Sequence, residues 1–161
     1  MTVQEQAGRQ SLFGDQPIFT ITAELEAVTS VGRTPYGERR FIAITGGTVT
    51  GARLKGRVLP GGADWQIVRG DGAADIQARY IIEADGGVRI AVDSQGLRHG
   101  PPAVLAALAR GETVDPAHYY FRTAMRFETA DPAFDWLNRI LAVARGVREA
   151  RNVRLDVYEV L

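Results

Sequence analysis

Residues 44–69 read ITGGTVTGARLKGRVLPGGADWQIVR, with Gly46, Gly47, Gly51, Gly56, Gly61 and Gly62 standing among short β-branched runs. Glycine at that density weakens a helix but suits the bulges and tight corners between antiparallel strands. The preceding segment carries the matching period of two. In IFTITAELEAV, Phe19, Ile21, Ala23 and Leu25 fall on one side and Thr20, Thr22, Glu24 and Glu26 on the other, the pattern of a strand with one buried face.

The same reading extends along the sequence. Residues 30–40, with Gly32, Pro35 and Gly37, read as a long hairpin loop. Strands are expected over 39–50, with a corner at Gly46-Gly47, over 52–59, and over 65–69. A fifth covers 75–84 with Ile76, Ala78, Tyr80 and Ile82 on one face, and Asp85-Gly86-Gly87 turns the backbone into a sixth from Val88. One helix follows: Pro101 and Pro102 suit its first turn, Val104, Leu105 and Leu108 share a face, and Gly111 marks its end. It is expected to lie across a barrel mouth or flank. Residues 118–128 alternate as a seventh strand, Asp131-Pro132 opens a short helical turn reaching Trp136, and strands over 140–147 and 153–160 complete the sequence. Many short strands with glycine-rich turns point to an all-β fold, a closed antiparallel barrel of about 8–9 strands in preference to a sandwich. About eight strands enclose an interior that side chains fill or that holds one small ligand.

At 161 residues the chain reads as one domain over 17–161, preceded by a flexible N-terminal arm over 1–16. Formal net charge is zero with the signs interspersed, so neither nucleic acid nor a basic partner is indicated. No apolar run is long enough for a membrane helix and residues 1–10 are polar, which predicts a cytoplasmic protein. The absence of cysteine removes disulfides, thiolate metal sites and thiol nucleophiles. Eighteen arginines accompany a single lysine, Lys55, the one amine available for imine chemistry.

The runs GERRFIAITGGTVTGARLKGRVLPGGADWQIVRGDG, DIQARYIIEADGGVRIAV, HYYFRTAMRFET and FDWLNRILAVARGV resemble the domain-of-unknown-function family DUF3237, also called UPF0311. The likeness covers nearly the whole sequence after Pro17. It implies a lipocalin-like β-barrel of bacterial and fungal proteins without a generally established activity. By motif match it draws attention to Asp64 and Trp65, to Asp75, Arg79 and Tyr80, to Tyr120, Phe121 and Arg122, and to Trp136, Leu137 and Asn138.

Elimination narrows the chemistry. Ser94 lacks the glycine of a nucleophile elbow, since Val92 stands two residues before it. The segment GARLKG is followed by Arg57-Val58 where a phosphate-binding loop needs Lys and Ser or Thr. His99 and His118 sit on separate segments, and the Asp-Gly pairs lack calcium-loop spacing. No cofactor or metal is therefore expected. Carboxylate, tyrosine and arginine remain, a set suited to proton transfer and to holding an organic anion.

Asp64, Tyr80 and Arg122 are the catalytic candidates, with Trp65, Tyr120, Trp136 and Asn138 as ligand-binding candidates. Each has a structural alternative. Asp64 could simply accept backbone bonds in a turn, Trp65 and Tyr80 could be core residues, and Trp136 and Asn138 could cap a barrel end. Asp64 and Trp65 point to opposite faces unless a bulge intervenes. Arg122, with Tyr120 and Arg126, lies opposite Phe121, Met125 and Phe127, so it faces the interior only if the polar face does. The expected function is binding of an apolar or aromatic small organic molecule inside the barrel. The alternatives are a cofactor-independent lyase, isomerase or cyclase acting on an aromatic or polyketide-like substrate, and a packed barrel serving as an oligomer subunit. A homodimer or higher homo-oligomer is the expected assembly.

Overall fold

A computed structural model describes residues 11–161. Ten strands form one antiparallel sheet: β1 (Phe19–Leu25), β2 (Thr29–Thr34), β3 (Gly37–Thr50), β4 (Gly56–Val58), β5 (Gly62–Val68), β6 (Ala74–Ala84), β7 (Arg89–His99), β8 (Tyr120–Thr129), β9 (Ala142–Arg148) and β10 (Asn152–Glu159). The circuit runs β1-β10-β9-β8-β7-β6, passes through β4 and β5 to β3, and closes where β3 pairs with β1. Both β4 and β5 lie between β3 and β6, so they share one place and the barrel has eight. Helix α1 (Pro102–Ala109) and two 3-10 segments, Pro116–His118 and Pro132–Arg139, complete the described residues.

Alternation decides which side chains turn inward. Along β6, Ala74, Ile76, Ala78, Tyr80, Ile82 and Ala84 are buried while the residues between them are not. On β1, Phe19, Ile21 and Ala23 point in, opposite Val157, Leu155 and Val153 of β10. The barrel is densely filled toward the end where β6 finishes, with Phe19, Leu54, Ile82, Ile90, Met125, Leu137 and Val157 almost wholly shielded from solvent. Asp131 caps the 3-10 segment Pro132–Arg139 by accepting from the Ala133 N–H, and that segment inserts Leu137 into the core.

Two local expectations are corrected. Residues 30–40 form a hairpin, β2 turning at Pro35-Tyr36 into β3, instead of a loop. Because β2 pairs only with β3 and exposes most of its residues, its sequence lacks an apolar period. Within 52–59 only Gly56–Val58 is strand, and the fully buried Leu54 enters the core just after a bend. Seven strands, not six, precede α1. Of the expected N-terminal arm, residues 1–10 lie outside the described residues, while Phe13 makes an isolated antiparallel bridge with Val160. No helix among the described residues is long and apolar enough to cross a membrane.

Gly62 at the start of β5 sets how closely that strand meets β6. A Cβ there would stand 2.5 Å from the Cβ of Tyr80 and 2.7 Å from the Arg79 carbonyl oxygen, closer than packed atoms tolerate. Gly62→Ala is therefore expected to destabilise the barrel by about 1–3 kcal/mol. Chemical denaturation measures it, and an unchanged unfolding midpoint would show that the strands can separate without cost.

Candidate functional site

The barrel end where β6 begins is built differently from the filled end. On three strands the inward period runs through apolar or small residues and then reaches arginine. β3 runs Ile44, Ile42, Arg40; β7 runs Ile90, Val92, Ser94, Gly96, Arg98; β9 runs Ala142, Ala144, Gly146, Arg148. Of these, Ile42 and the three arginines line a cavity of about 840 Å³ with Glu38, Gln66, Val68 and Ala74, and α1 lies over it with Leu105, Ala106 and Leu108. The helix thus crosses the barrel mouth.

The three guanidiniums are unequally neutralised. Arg40 donates to Glu38 at 2.8 Å, and this bond, followed by one from Ser30, holds the Glu38 carboxyl below its ordinary range. Arg148 donates to the backbone carbonyls of Asn152, at 3.1 Å, and Glu149. Arg98 has no ion pair or side-chain hydrogen bond among the described residues and lies 5.7 Å from the centre of the Phe121 ring. Burial, then repulsion from Arg148, lowers its pKa to about 10, with Asp64 opposing the shift. It stays charged at neutral pH. Burial also lowers that of Arg148, against the pull of Asp64 and Tyr119.

Asp64 lies on the inward side of β5, bonded to the cavity-lining Gln66. Its Oδ2 accepts from Gln66 Nε2 at 2.6 Å and its Oδ1 from the Gln77 backbone N–H at 3.3 Å. The β5–β6 ladder accordingly stops after Asp64–Ala78 and resumes in the same register at Ile67–Asp75. Burial raises the Asp64 pKa, while Gln66, the Gln77 N–H, Arg98 and Arg148 act to lower it. Tyr80 points inward on β6, where burial and the Asp64 charge push its hydroxyl above the usual phenol range. Buried polar atoms without a partner among the described residues include Arg40 Nε, Arg98 Nε and Gln66 Oε1, all on residues lining the cavity. Buried groups of this kind ordinarily have partners. Among the described residues no group of three or more His, Cys, Asp or Glu side chains could hold a metal ion, and the donors at the mouth suit an anion.

A family model described as "Protein of unknown function (DUF3237)" matches residues 15–160. The chain belongs to this family. A UPF0311 protein of Rhodopseudomonas palustris is 46% identical over 144 residues, which cover 89% of this chain and 94% of that protein. The crystal structure of a β-barrel-like protein from Acinetobacter baumannii, 42% identical, matches with a TM-score of 0.80 over 94% of this chain and 98% of that one. A crystal structure described as an enzyme from Penicillium herquei shares the fold at 17% identity, with a TM-score of 0.66 over 93% of this chain and 98% of that one.

In this DUF3237 barrel the residues singled out from sequence separate into three places. Asp64 and Tyr80 lie inside. Trp65 turns outward, 47% exposed, with its ring centre 4.8 Å from that of its cross-strand neighbour Phe41. Tyr120 and Arg122 are also on the outer side of β8, since Phe121, Thr123 and Met125 take the interior. Tyr120 stacks on His99 at 4.9 Å, and Arg122 lies 5.4 Å from the Tyr120 ring and donates to the Phe121 carbonyl. They line an outer groove with Arg145 and Tyr158. Trp136 and Asn138 cap the filled end: Arg53 lies 3.7 Å from the Trp136 ring, and Asn138 exchanges two hydrogen bonds with the Thr129 backbone. Sequence reading missed Arg40, Arg98, Arg148 and Gln66. The signal available was the inward period of β3, β7 and β9 carried one step further.

Arg98 holds charge in a largely desolvated place without a partner among the described residues, a cost the fold bears. Arg98→Met is expected to raise stability by about 1 kcal/mol, ~2–4 °C in Tm, in the absence of ligand. Calorimetry at neutral pH checks it; a lowered Tm would show that Arg98 contributes more through packing on Phe121 than its charge costs.

Proposed function

We propose that this protein binds a small organic carboxylate, the acid group held by the arginines at the barrel mouth and an apolar body against Ile42, Val68, Leu105 and Leu108. The observation carrying this reading is the convergence of Arg40, Arg98 and Arg148 on one cavity with Arg98 unpaired among the described residues. An unpartnered guanidinium in a low-dielectric site gains far more from an arriving anion than an exposed one does. The volume is within the range of small-molecule sites. The interior of the filled end is packed by Phe19, Ile82, Ile90, Met125 and Leu137, which favours the mouth over the centre of the barrel as the binding place.

Asp64 supports a second reading, cofactor-independent proton transfer on the bound acid. A carboxylate whose proton affinity is raised by burial, beside guanidiniums able to hold a developing enolate, has the properties of a general base. Carrier and enzyme share the anion-binding step and differ in whether a proton then moves.

Benzoate and phenylacetate are expected to bind at least about tenfold more tightly than benzamide and phenylacetamide, one charge-assisted contact being enough for that ratio. Arg98→Met should bring each acid down to its amide. Titration calorimetry reads both effects, and equal affinity of acid and amide for the unaltered protein would refute the anion reading. Incubating bound phenylacetate in deuterium oxide and following its methylene signal by NMR separates the two readings. Exchange at that methylene which Asp64→Asn abolishes would make the protein a proton-transfer catalyst, while an unchanged signal favours a carrier.

A further inference from the structure

Gln66 is 3% exposed, lines the cavity, and has one half of its amide committed and the other free. Its Nε2 donates to Asp64 Oδ2, and its Oε1 has no partner among the described residues. The orientation follows from Asp64. An ionised carboxylate only accepts, so the amide must turn its NH2 group toward it and leave its carbonyl oxygen for something else. A buried amide oxygen left unpaired is costly, and it rejects any ligand that covers it without donating. Glu38, Arg40 and Arg98 line the same cavity. Gln66, whose buried amide oxygen lacks a partner among the described residues, therefore shares one lining with the cationic donors for an acid group.

We infer that the site selects organic acids bearing, besides the carboxylate, a hydrogen-bond donor such as a hydroxyl group directed at Gln66 Oε1, with Asp64 as the positioning residue that sets the amide. This rests on the carboxylate-binding reading and names the class of acid within it. The donor is required by the unpartnered oxygen, and the carboxylate by the unpaired guanidinium. A hydroxy acid satisfies both at once. A plain acid satisfies only the guanidinium, and the methyl ether of a hydroxy acid places a second acceptor against the amide oxygen.

The inference carries over to an altered amide. In Asp64→Asn the Gln77 N–H still needs an acceptor, so the oxygen of the introduced amide stays with it, and the introduced NH2 group replaces the oxygen that faced Gln66. Gln66 must then turn its own oxygen toward that NH2 group and present its own NH2 group to the cavity. The site that favoured a donor now favours an acceptor.

Titration calorimetry with 2-, 3- and 4-hydroxybenzoate, the matching methoxybenzoates and benzoate tests this. For the unaltered protein at least one hydroxybenzoate is expected to bind roughly tenfold more tightly than its methyl ether. In Gln66→Met, of similar length and without the acceptor, that ratio should fall to about one while benzoate binding persists. In Asp64→Asn the ratio for the same pair should drop below one; the added positive field affects both acids alike, so their ratio isolates the amide. Benzoate binding with no preferred hydroxybenzoate, or a preference that survives Gln66→Met, overturns the inference and leaves carboxylate binding standing. Failure of the unaltered protein to bind any of the acids overturns the carboxylate reading itself.

Discussion

Strand β3 must find partners along both edges for its 14 residues, and the rest of the barrel follows from how it does so. A buried strand edge without hydrogen bonds is not tolerated, and no neighbour of β3 is long enough to cover either edge alone. One edge is taken by β2 and then β1, the other by β5 and then β4. The change of partner coincides with the irregularity opposite Glu24 and Leu25, beside Gly46 and Gly47. At Gly47, φ is 140° and a Cβ would run into the Thr22 carbonyl, so only glycine lets β1 approach there. Closure, and with it an inside and an outside, depends on that contact.

Once the barrel closes, alternation assigns every strand residue to a side, and the sequence carried most of this assignment in its apolar residues. The alternating faces of β1, β6 and β8 are legible from the sequence, as are α1 and its stop at Gly111, while which face of β8 turns inward and whether α1 takes the mouth or the flank stayed open. Residues 30–40 were not, because a strand exposed on both faces needs no apolar period. Arg122 shows the same logic from the other direction. Its neighbours Phe121, Met125 and Phe127 already identify the packed face, and the polar side of β8 could enter the interior only if the apolar side left it.

The arginines at the mouth escaped notice for a different reason. Arg40, Arg98 and Arg148 come from segments far apart in sequence, and each looks like one of many solvated guanidiniums. What brings them together is register: Arg98 lies beside Phe121 across β7–β8, and Phe121 sits over Gly146 on β9, where a Cβ would meet its ring at 2.5 Å. Gly146 thus leaves room for the Phe121 ring, whose centre lies 5.7 Å from the Arg98 guanidinium. A glycine and a phenylalanine in separate segments position a charge on a third, which no local pattern encodes. Gln66 was hidden differently, because its role depends on the Asp64 carboxylate two residues earlier.

The two ends of the barrel contribute differently to folding, and the proposed recognition uses the end that contributes less. Phe19, Ile82, Ile90, Met125 and Leu137 fill one end and supply the apolar burial that stabilises a protein of this size. That surplus allows the other end to keep unpaired polar atoms and like charges near one another, an arrangement that opposes folding locally. The backbone at Arg40 and Arg98 is held by pairing on both sides, and that at Arg148 by Val153 of β10, which limits how far the strands can move apart. In the proposed binding, backbone held in this way has no need to rearrange around an anion. The same rigidity extends to Asp64, whose oxygens are bound by a backbone N–H and by Gln66. Charge at the mouth and the Gln66 amide beside it are consequences of one register, and the proposed recognition rests on that arrangement of the sheet.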